Sequence, residues 1–199
     1  AGATAHTRLP GGSESASEDI SRFHKWNRML ARHRLQESGD YSRFAAGRAL
    51  RTAQAADRAW RRLLQDFTFR APSGMSGFLH ETLGALPYVS DFQNYGETDL
   101  WNTPRELFAN GGDCEDYAIA KYFSLRHLGV SSDKLRITYV KALRQNRAHM
   151  VLTYYATPDA MPLVLDSLID PIQPASQRTD LLPVYSFNAE GLYFQGSKC

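Results

Sequence analysis

Cys114 is the residue of this sequence best suited by type and position to nucleophilic chemistry. Two glycines precede Asp113, and Asp116 follows three residues later at the spacing of a capping box. A helix is therefore predicted to begin at Cys114 and to end near Leu128. A thiol in the first turn is close to the positive end of the helix dipole, at the boundary between core and solvent. A lone cysteine beside apolar residues is more often a small core residue, so this segment alone leaves both roles open.

Two further residues complete a possible catalytic set with Cys114. His149 stands at the start of a predicted strand, and Asp166 lies near the end of the next one. Because neighbouring antiparallel strands place residues side by side, these two are predicted to form a hydrogen bond. The histidine would take the thiol proton, the thiolate would attack a carbonyl, and the aspartate would fix the imidazole tautomer. Alone, each could be an ordinary strand residue or turn acid, but the three together predict thiol-dependent acyl chemistry.

The acidic residues around Cys114 predict a metal site. Asp113, Glu115 and Asp116 bring up to three negative charges close to the thiol. Like charge would raise the thiol pKa above its free value of about 8.5, and the helix dipole, worth about half a charge, is too weak to offset it. A divalent cation would supply the missing positive charge, and hard oxygen ligands favour calcium. The alternative is that these acids only cap the helix and stay solvated.

The elements that would position these residues follow an α+β order. Apolar residues at helical spacing predict helices before Cys114 over about 20–39, 44–67, 78–86 and 103–110. After Gly129 the apolar period becomes two, which predicts strands over about 135–140, 149–155 and 162–167. A further hairpin is predicted from strands over 184–187 and 192–194, joined by a turn at 188–191. The order predicts an α+β fold in which the Cys114 helix packs on an antiparallel sheet, with extra helices on the N-terminal side.

Composition narrows the class of protein further. The 199 residues, 43% of them apolar, suffice for one ample domain. It is predicted to comprise a disordered segment over 1–17, N-terminal helices over 18–77, a catalytic core over 78–194 and a flexible tail over 195–199. A formal net charge of +2 gives no indication of nucleic-acid binding, and the chain is not expected to span a membrane because no apolar run approaches 18 residues. The arginines of the N-terminal helices are interpreted as a solvated face, with partner binding as the less favoured alternative.

Trp101 is the aromatic residue closest in sequence to the predicted site. Its loop leads into the short helix that precedes Cys114, so Trp101 is predicted to line the substrate cleft. The alternative is an ordinary core aromatic, which is the more common fate of a tryptophan.

Four motifs resemble those of the bacterial transglutaminase-like cysteine peptidases, over about 86–187. They are Leu-Trp-Asn-Thr-Pro at 100–104, Gly-Asp-Cys-Glu-Asp-Tyr-Ala-Ile-Ala-Lys-Tyr at 112–122, His-Met-Val-Leu at 149–152 and Leu-Asp-Ser at 165–167. The resemblance implies a papain-like/transglutaminase-like core. It also implies that Cys114 is the nucleophile, His149 the base and Asp166 the orienting acid. The calcium ligands it implies are Asp113, Glu115 and Asp116.

The resemblance also implies a biological setting. Enzymes of this kind are periplasmic endopeptidases that cleave the N-terminal retention region of a very large surface adhesin next to paired alanines, which releases biofilm. They require calcium and are held inactive by an inner-membrane receptor that responds to cyclic di-GMP. Two alternatives stay open at this point. One is an acyl transferase of transglutaminase type, which shares the thioester step, and the other is a non-catalytic binding module of the same fold.

Overall fold

The computed structural model describes residues 13–43, 45–69 and 83–196. The α-helices within these ranges are α1 (His24–Glu37), α2 (Gly47–Phe69), α3 (Asp91–Tyr95), α4 (Pro104–Asn110) and α5 (Cys114–His127). The strands are β1 (Ser13–Ser17), β2 (Leu135–Ala142), β3 (Arg147–Tyr154), β4 (Leu163–Leu165), β5 (Gln173–Pro174), β6 (Leu181–Phe187) and β7 (Leu192–Gly196). The predicted α+β class is confirmed. Across these described ranges, no helix is both long and apolar enough to cross a membrane.

Contacts divide the chain into two units at places the sequence did not indicate. A helical unit covers 23–128, and a sheet unit combines the residues before 23 with those from 129 onward. The boundary predicted at residue 77 does not coincide with this division, because α2 packs against α4 within the helical unit. The prediction of disorder over 1–17 fails at 13–17, because these residues form β1 and pair with β7. Of the tail predicted at 195–199, residues 195 and 196 belong to β7, and 197–199 lie outside the described residues.

The helical unit contains α5, which is buried on almost every side. Phe123 is only half-buried. Buried residues lie on the other faces of the helix: Tyr117, Ala118, Ile119, Ala120, Lys121, Tyr122, Ser124 and Leu125. Within the unit, the indole of Trp60 on α2 donates a hydrogen bond to Ser124 at 3.0 Å. Between its first turn and Arg126, which is exposed, the helix therefore has no solvent-facing stripe.

The other helices of the helical unit agree with the prediction at some positions and differ at others. Helices α1 and α2 fall within a few residues of the predicted limits, and α4 begins with a capping box between Thr103 and Glu106. Helix α3 is an addition to the predicted helices. Its start also carries a capping box, from Ser90 to Gln93. The helix predicted over 78–86 lies mostly outside the described residues.

The sheet unit has the strand order β1-β7-β6-β2-β3-β4-β5, with all pairs antiparallel. Val140 of β2 lies opposite His149 of β3, and Leu152 of β3 lies opposite Leu165 of β4. Between β6 and β7, the side chain of Asn188 accepts hydrogen bonds from two backbone N–H groups of the turn. The predicted strands and their hairpin are confirmed, and their register sets the positions of His149 and Asp166.

Candidate active site

The start of α5 is held by a close approach of two backbone segments. Gly112 accepts a hydrogen bond from the N–H of Val89 at 2.8 Å and donates one to Pro87 at 3.2 Å. Gly111 has a φ of 73°, and a Cβ there would lie 2.6 Å from the carbonyl oxygen of Pro87. Only glycine can adopt this positive φ and also leave room for the carbonyl oxygen of Pro87. The glycine pair before Asp113 therefore fixes the turn that presents the first residue of the helix.

Cys114 is the first residue of α5 and is half-buried. Its Sγ lies 3.1 Å from Oε2 of Glu115, within range for the thiol to donate a hydrogen bond. The N–H of Asp113 donates to Oδ2 of Asp116 at 3.1 Å, which closes one side of the predicted capping box. The predicted placement of the thiol at the N-terminus of a helix, at the edge of the core, is thus confirmed.

His149 and Asp166 form the predicted hydrogen bond within the sheet unit. Nε2 of His149 and Oδ1 of Asp166 are 2.7 Å apart, and both side chains are buried. Oδ1 also accepts from the N–H of Leu168 at 3.0 Å. Burial would raise the pKa of Asp166, but the hydrogen bond and charge of His149, with further bonds from Leu168 and Arg178, hold that pKa below its ordinary value. Asp166 is therefore ionised at neutral pH and orients the imidazole.

Arg178 is a member of this group that sequence reasoning missed. Its Nη2 donates to Oδ2 of Asp166 at 2.7 Å, and the side chain is buried. No local pattern marks it, because it follows a 3₁₀ turn at 175–177, in a segment without apolar periodicity.

Four acidic residues at and near the start of α5 form a cluster, and one of them, Asp91, was not predicted. Asp91, Asp113 and Asp116 each place a carboxylate oxygen within 4.8 Å of those of the other two. Glu115 forms a second group at the same spacing with Asp113 and Cys114. The structure therefore brings the predicted Asp113 and Asp116 together and adds Asp91. The capping box at the start of α3 is the signal that could have identified that position.

Burial and mutual repulsion act on this cluster. Burial raises the pKa of Asp91 to about 6, and the charge of Asp113 contributes in the same direction. Burial also raises the pKa of Asp113 to about 7, assisted by the hydrogen bond and charge of Glu115. The pKa of Asp116 lies well above its ordinary value, again chiefly through burial. Without a cation, ionising all three carboxyl groups is unfavourable.

The hydrogen bonding of the cluster leaves two oxygens for a metal. Oδ1 of Asp116 accepts from the N–H of Asn102 at 2.7 Å, and Oδ2 accepts from the Asn102 side chain at 2.9 Å. By contrast, Oδ1 of Asp91 and Oδ1 of Asp113 are buried without a hydrogen-bond partner among the described residues. Buried carboxylate oxygens that lack donors are suitable ligands for a hard cation. The residues present therefore fit calcium.

Trp101 belongs to the core of the helical unit. Its side chain is 4% exposed, its ring meets that of Phe23 edge-on at 5.2 Å, and its indole donates to Asp99 at 3.0 Å. So little exposed surface favours core packing over a wall of the substrate cleft. The cleft role stays a prediction.

Comparison with known proteins agrees with these features. The model of the bacterial transglutaminase-like cysteine proteinase family (BTLCP) matches residues 81–181. Calcium-bound LapG of Legionella pneumophila is 40% identical, with a TM-score of 0.65 over 80% of this chain and 86% of that chain. A second LapG structure from that organism is 41% identical, with a TM-score of 0.63 over 72% of this chain and 86% of that chain. EGTA-treated LapG from the same organism is 39% identical, with a TM-score of 0.63 over 74% of this chain and 89% of that chain.

A search of curated proteins finds no match. The family match covers half of the chain, and the solved relatives share its fold at about 40% identity. The chain therefore belongs to the bacterial transglutaminase-like cysteine proteinase family and is a cysteine peptidase.

Proposed function

We propose that this chain is a calcium-dependent cysteine endopeptidase with Cys114 as nucleophile, His149 as base and Asp166 as orienting acid. The observation that carries the proposal is the buried 2.7 Å hydrogen bond between His149 and Asp166. A buried pair of this kind has the arrangement that a general base requires, and Cys114 opens a helix whose N-terminal dipole favours a thiolate. Family membership supports the use of all three residues in one reaction.

The proposed reaction proceeds through a thioester. Because Nε2 of His149 is bonded to Asp166, Nδ1 is the atom that takes the proton from the Cys114 thiol. The thiolate attacks the peptide carbonyl carbon, the C–N bond breaks, and the imidazolium gives its proton to the leaving amine. A water molecule, deprotonated by the imidazole, then attacks the thioester. This step releases the new carboxyl end and restores the thiol. Asp166 stays ionised throughout and stabilises the imidazolium.

The proposed calcium ligands are Asp91, Asp113 and Asp116, with Glu115 beside them. A bound calcium ion would supply the positive charge that allows these carboxyl groups to ionise next to Cys114. The two carboxylate oxygens that have no donor in the described part of the chain support this assignment, as do the calcium-bound and EGTA-treated states in which Legionella LapG was solved. The chain's own contribution is to fix the turn at Gly111 and Gly112 that presents the thiol.

The proposed substrate is the N-terminal retention region of a large surface adhesin, cleaved next to paired alanines. Cleavage would release the adhesin and disperse biofilm. The enzyme would act in the periplasm and would be inhibited there by an inner-membrane receptor of cyclic di-GMP. Membership in the family supports this assignment.

The test is cleavage of a purified adhesin retention segment, followed by mass spectrometry in calcium and in excess EGTA. We expect one cut beside the paired alanines in calcium, little cleavage in EGTA, and no cut in a matched segment whose alanine pair is replaced by arginines. A labelled amine in the same assay separates hydrolysis from acyl transfer, because incorporation that outruns hydrolysis would identify a transferase. Cleavage at full rate in EGTA would contradict the calcium requirement, and failure to cut the native segment would contradict the substrate.

A further inference from the structure

Arg178 is a buried arginine that joins two acidic side chains of the sheet unit. Only 6% of it is exposed. Its Nη2 donates to Oδ2 of Asp166 at 2.7 Å and to Oδ2 of Asp180 at 3.0 Å. Its Nε donates to Oδ1 of Asp180 at 3.0 Å. The two hydrogen bonds from Nε and Nη2 to Asp180 fix the plane of the guanidinium. In this fixed orientation Nη2 also donates to Asp166.

The two oxygens of Asp166 are therefore divided between different partners. Oδ1 accepts from His149 at 2.7 Å and from the N–H of Leu168 at 3.0 Å, whereas Oδ2 accepts from Arg178. Among the described residues, Arg178 is the only donor to Oδ2. Hydrogen bonds at both oxygens restrict rotation of the Asp166 carboxylate. The imidazole of His149 is therefore held in a narrower range of orientations than it would be if Asp166 were bonded at one oxygen only.

The charges of this group suit a histidine that becomes positive during the reaction. Arg178 is shared by Asp166 and Asp180, so the three side chains together carry one net negative charge. This net negative charge stabilises the imidazolium that forms at His149. The hydrogen bond from Arg178 also acts against the burial that would otherwise raise the pKa of Asp166.

The cost of this arrangement argues against a role in stability alone. Nη1 of Arg178 is buried and has no hydrogen-bond partner among the described residues. A buried guanidinium with an unpaired N–H is expensive for the fold, and an apolar side chain of similar size would fill the same space at lower cost.

We propose that Arg178 is a positioning residue for the reaction, which acts by holding the Asp166 carboxylate in the orientation that His149 requires. The proposal rests on the proposed function, because it assumes that His149 and Asp166 take part in the reaction. Arg178 contacts Asp166 rather than His149, so its effect is expected on kcat rather than on KM.

The experiment measures kcat and KM on the adhesin-derived segment for Arg178→Gln, Arg178→Lys, Asp166→Asn and the double variant Asp166→Asn/Arg178→Gln. Arg58→Gln, at an exposed arginine of α2, is the matched control for loss of one positive charge. We expect Arg178→Gln to lower kcat about 10- to 100-fold, as is usual when a group that orients a reacting residue is removed. KM should change less than about twofold, on the expectation that substrate binding is separate from this network. Arg178→Lys should recover part of the loss.

The double variant separates positioning from a merely structural effect. If Arg178 acts through Asp166, Arg178→Gln should cause little further loss once Asp166 has been replaced by asparagine. An equal loss in both backgrounds, or an unchanged kcat in Arg178→Gln, would overturn the proposal. If Arg178→Gln does not fold, the same cycle is run with Arg178→Lys. Full activity of Asp166→Asn and His149→Ala would overturn the proposed triad and this proposal together. Reduced activity of Asp166→Asn and His149→Ala, together with an unchanged kcat in Arg178→Gln, would overturn this proposal alone.

Discussion

Replacement of Asp91 by asparagine is predicted to have opposite effects on stability without and with calcium. Asp91 is 3% exposed, and burial raises its pKa from an ordinary 3.8 to about 6. The folded state therefore binds this proton more tightly than the unfolded state does. Stability contributed by the protonated group is present at low pH and is lost as the pH rises through about 6. Above that pH, an ionised Asp91 destabilises the calcium-free protein.

The size of the effect follows from the pKa shift. A rise of about 2 units, at 1.36 kcal/mol per unit, corresponds to about 3 kcal/mol at pH 8. The neutral amide of Asp91→Asn would avoid this cost and could donate to the carboxylates of Asp113 and Asp116. For a chain of this length, about 3 kcal/mol corresponds to a rise in Tm of about 6–12 °C. In EGTA at pH 8, Asp91→Asn should therefore melt at a higher temperature than the wild type.

Calcium should reverse this order. Free calcium at about 1,000 times its Kd stabilises the wild type by about 4.1 kcal/mol, which exceeds the difference of about 3 kcal/mol in EGTA. The variant has lost a charged ligand and should respond weakly. The assay is differential scanning calorimetry of both proteins at pH 8, in EGTA and in calcium. Glu97→Gln, at an exposed acid of the same unit, is the control and should change neither melt. A lower Tm of Asp91→Asn in EGTA, with an undiminished response to calcium, would refute the role of Asp91 in the metal site.

Three further predictions concern catalysis, the core and pH. Cys114→Ala and His149→Ala should abolish peptide cleavage with unchanged circular dichroism, while Asp166→Asn should retain some activity, and wild-type rates in Cys114→Ala would exclude the thiol mechanism. Trp101→Ala should lower the free energy of unfolding, measured in urea, by about 3–5 kcal/mol, because the indole is buried. A raised KM at unchanged stability would instead indicate that Trp101 lines the substrate cleft. Burial lowers the pKa of His33 to about 4, so stability should be lost as the pH falls from about 6.5 to 4, by up to about 3 kcal/mol. His33→Gln should remove that loss, and a pH profile like that of the wild type would contradict this assignment.

The sequence was sufficient where local periodicity and capping determine structure. The helix from Cys114, the strands that carry His149 and Asp166, and the hydrogen bond between these two residues were all predictable. In each case the apolar period or a capping signal lies within a few residues of the feature. The family resemblance was also carried by contiguous motifs around these positions.

The missed features depend on contacts distant in sequence. Strand β1 consists of small polar residues without an apolar pattern, and its pairing with β7 joins positions about 180 residues apart. Arg178 reaches Asp166 through an irregular loop that no periodicity describes. Asp91 is a different case, because the capping box of Ser90 and Gln93 is a local signal for the helix that carries it. Trp101 shows that closeness in sequence to a nucleophile does not imply exposure.

The most direct test of the central claim is covalent labelling of Cys114 by a peptidyl vinyl sulfone that carries paired alanines, with the modified residue identified by mass spectrometry. The rate at which the same probe labels the thiol of free N-acetylcysteine gives the ordinary thiol reactivity for comparison. We predict rapid labelling of Cys114 in calcium, slow labelling in EGTA, and slow labelling in His149→Ala even when calcium is present. Labelling of Cys114 at the rate of free N-acetylcysteine in every condition, or at an unchanged rate in His149→Ala, would contradict the account.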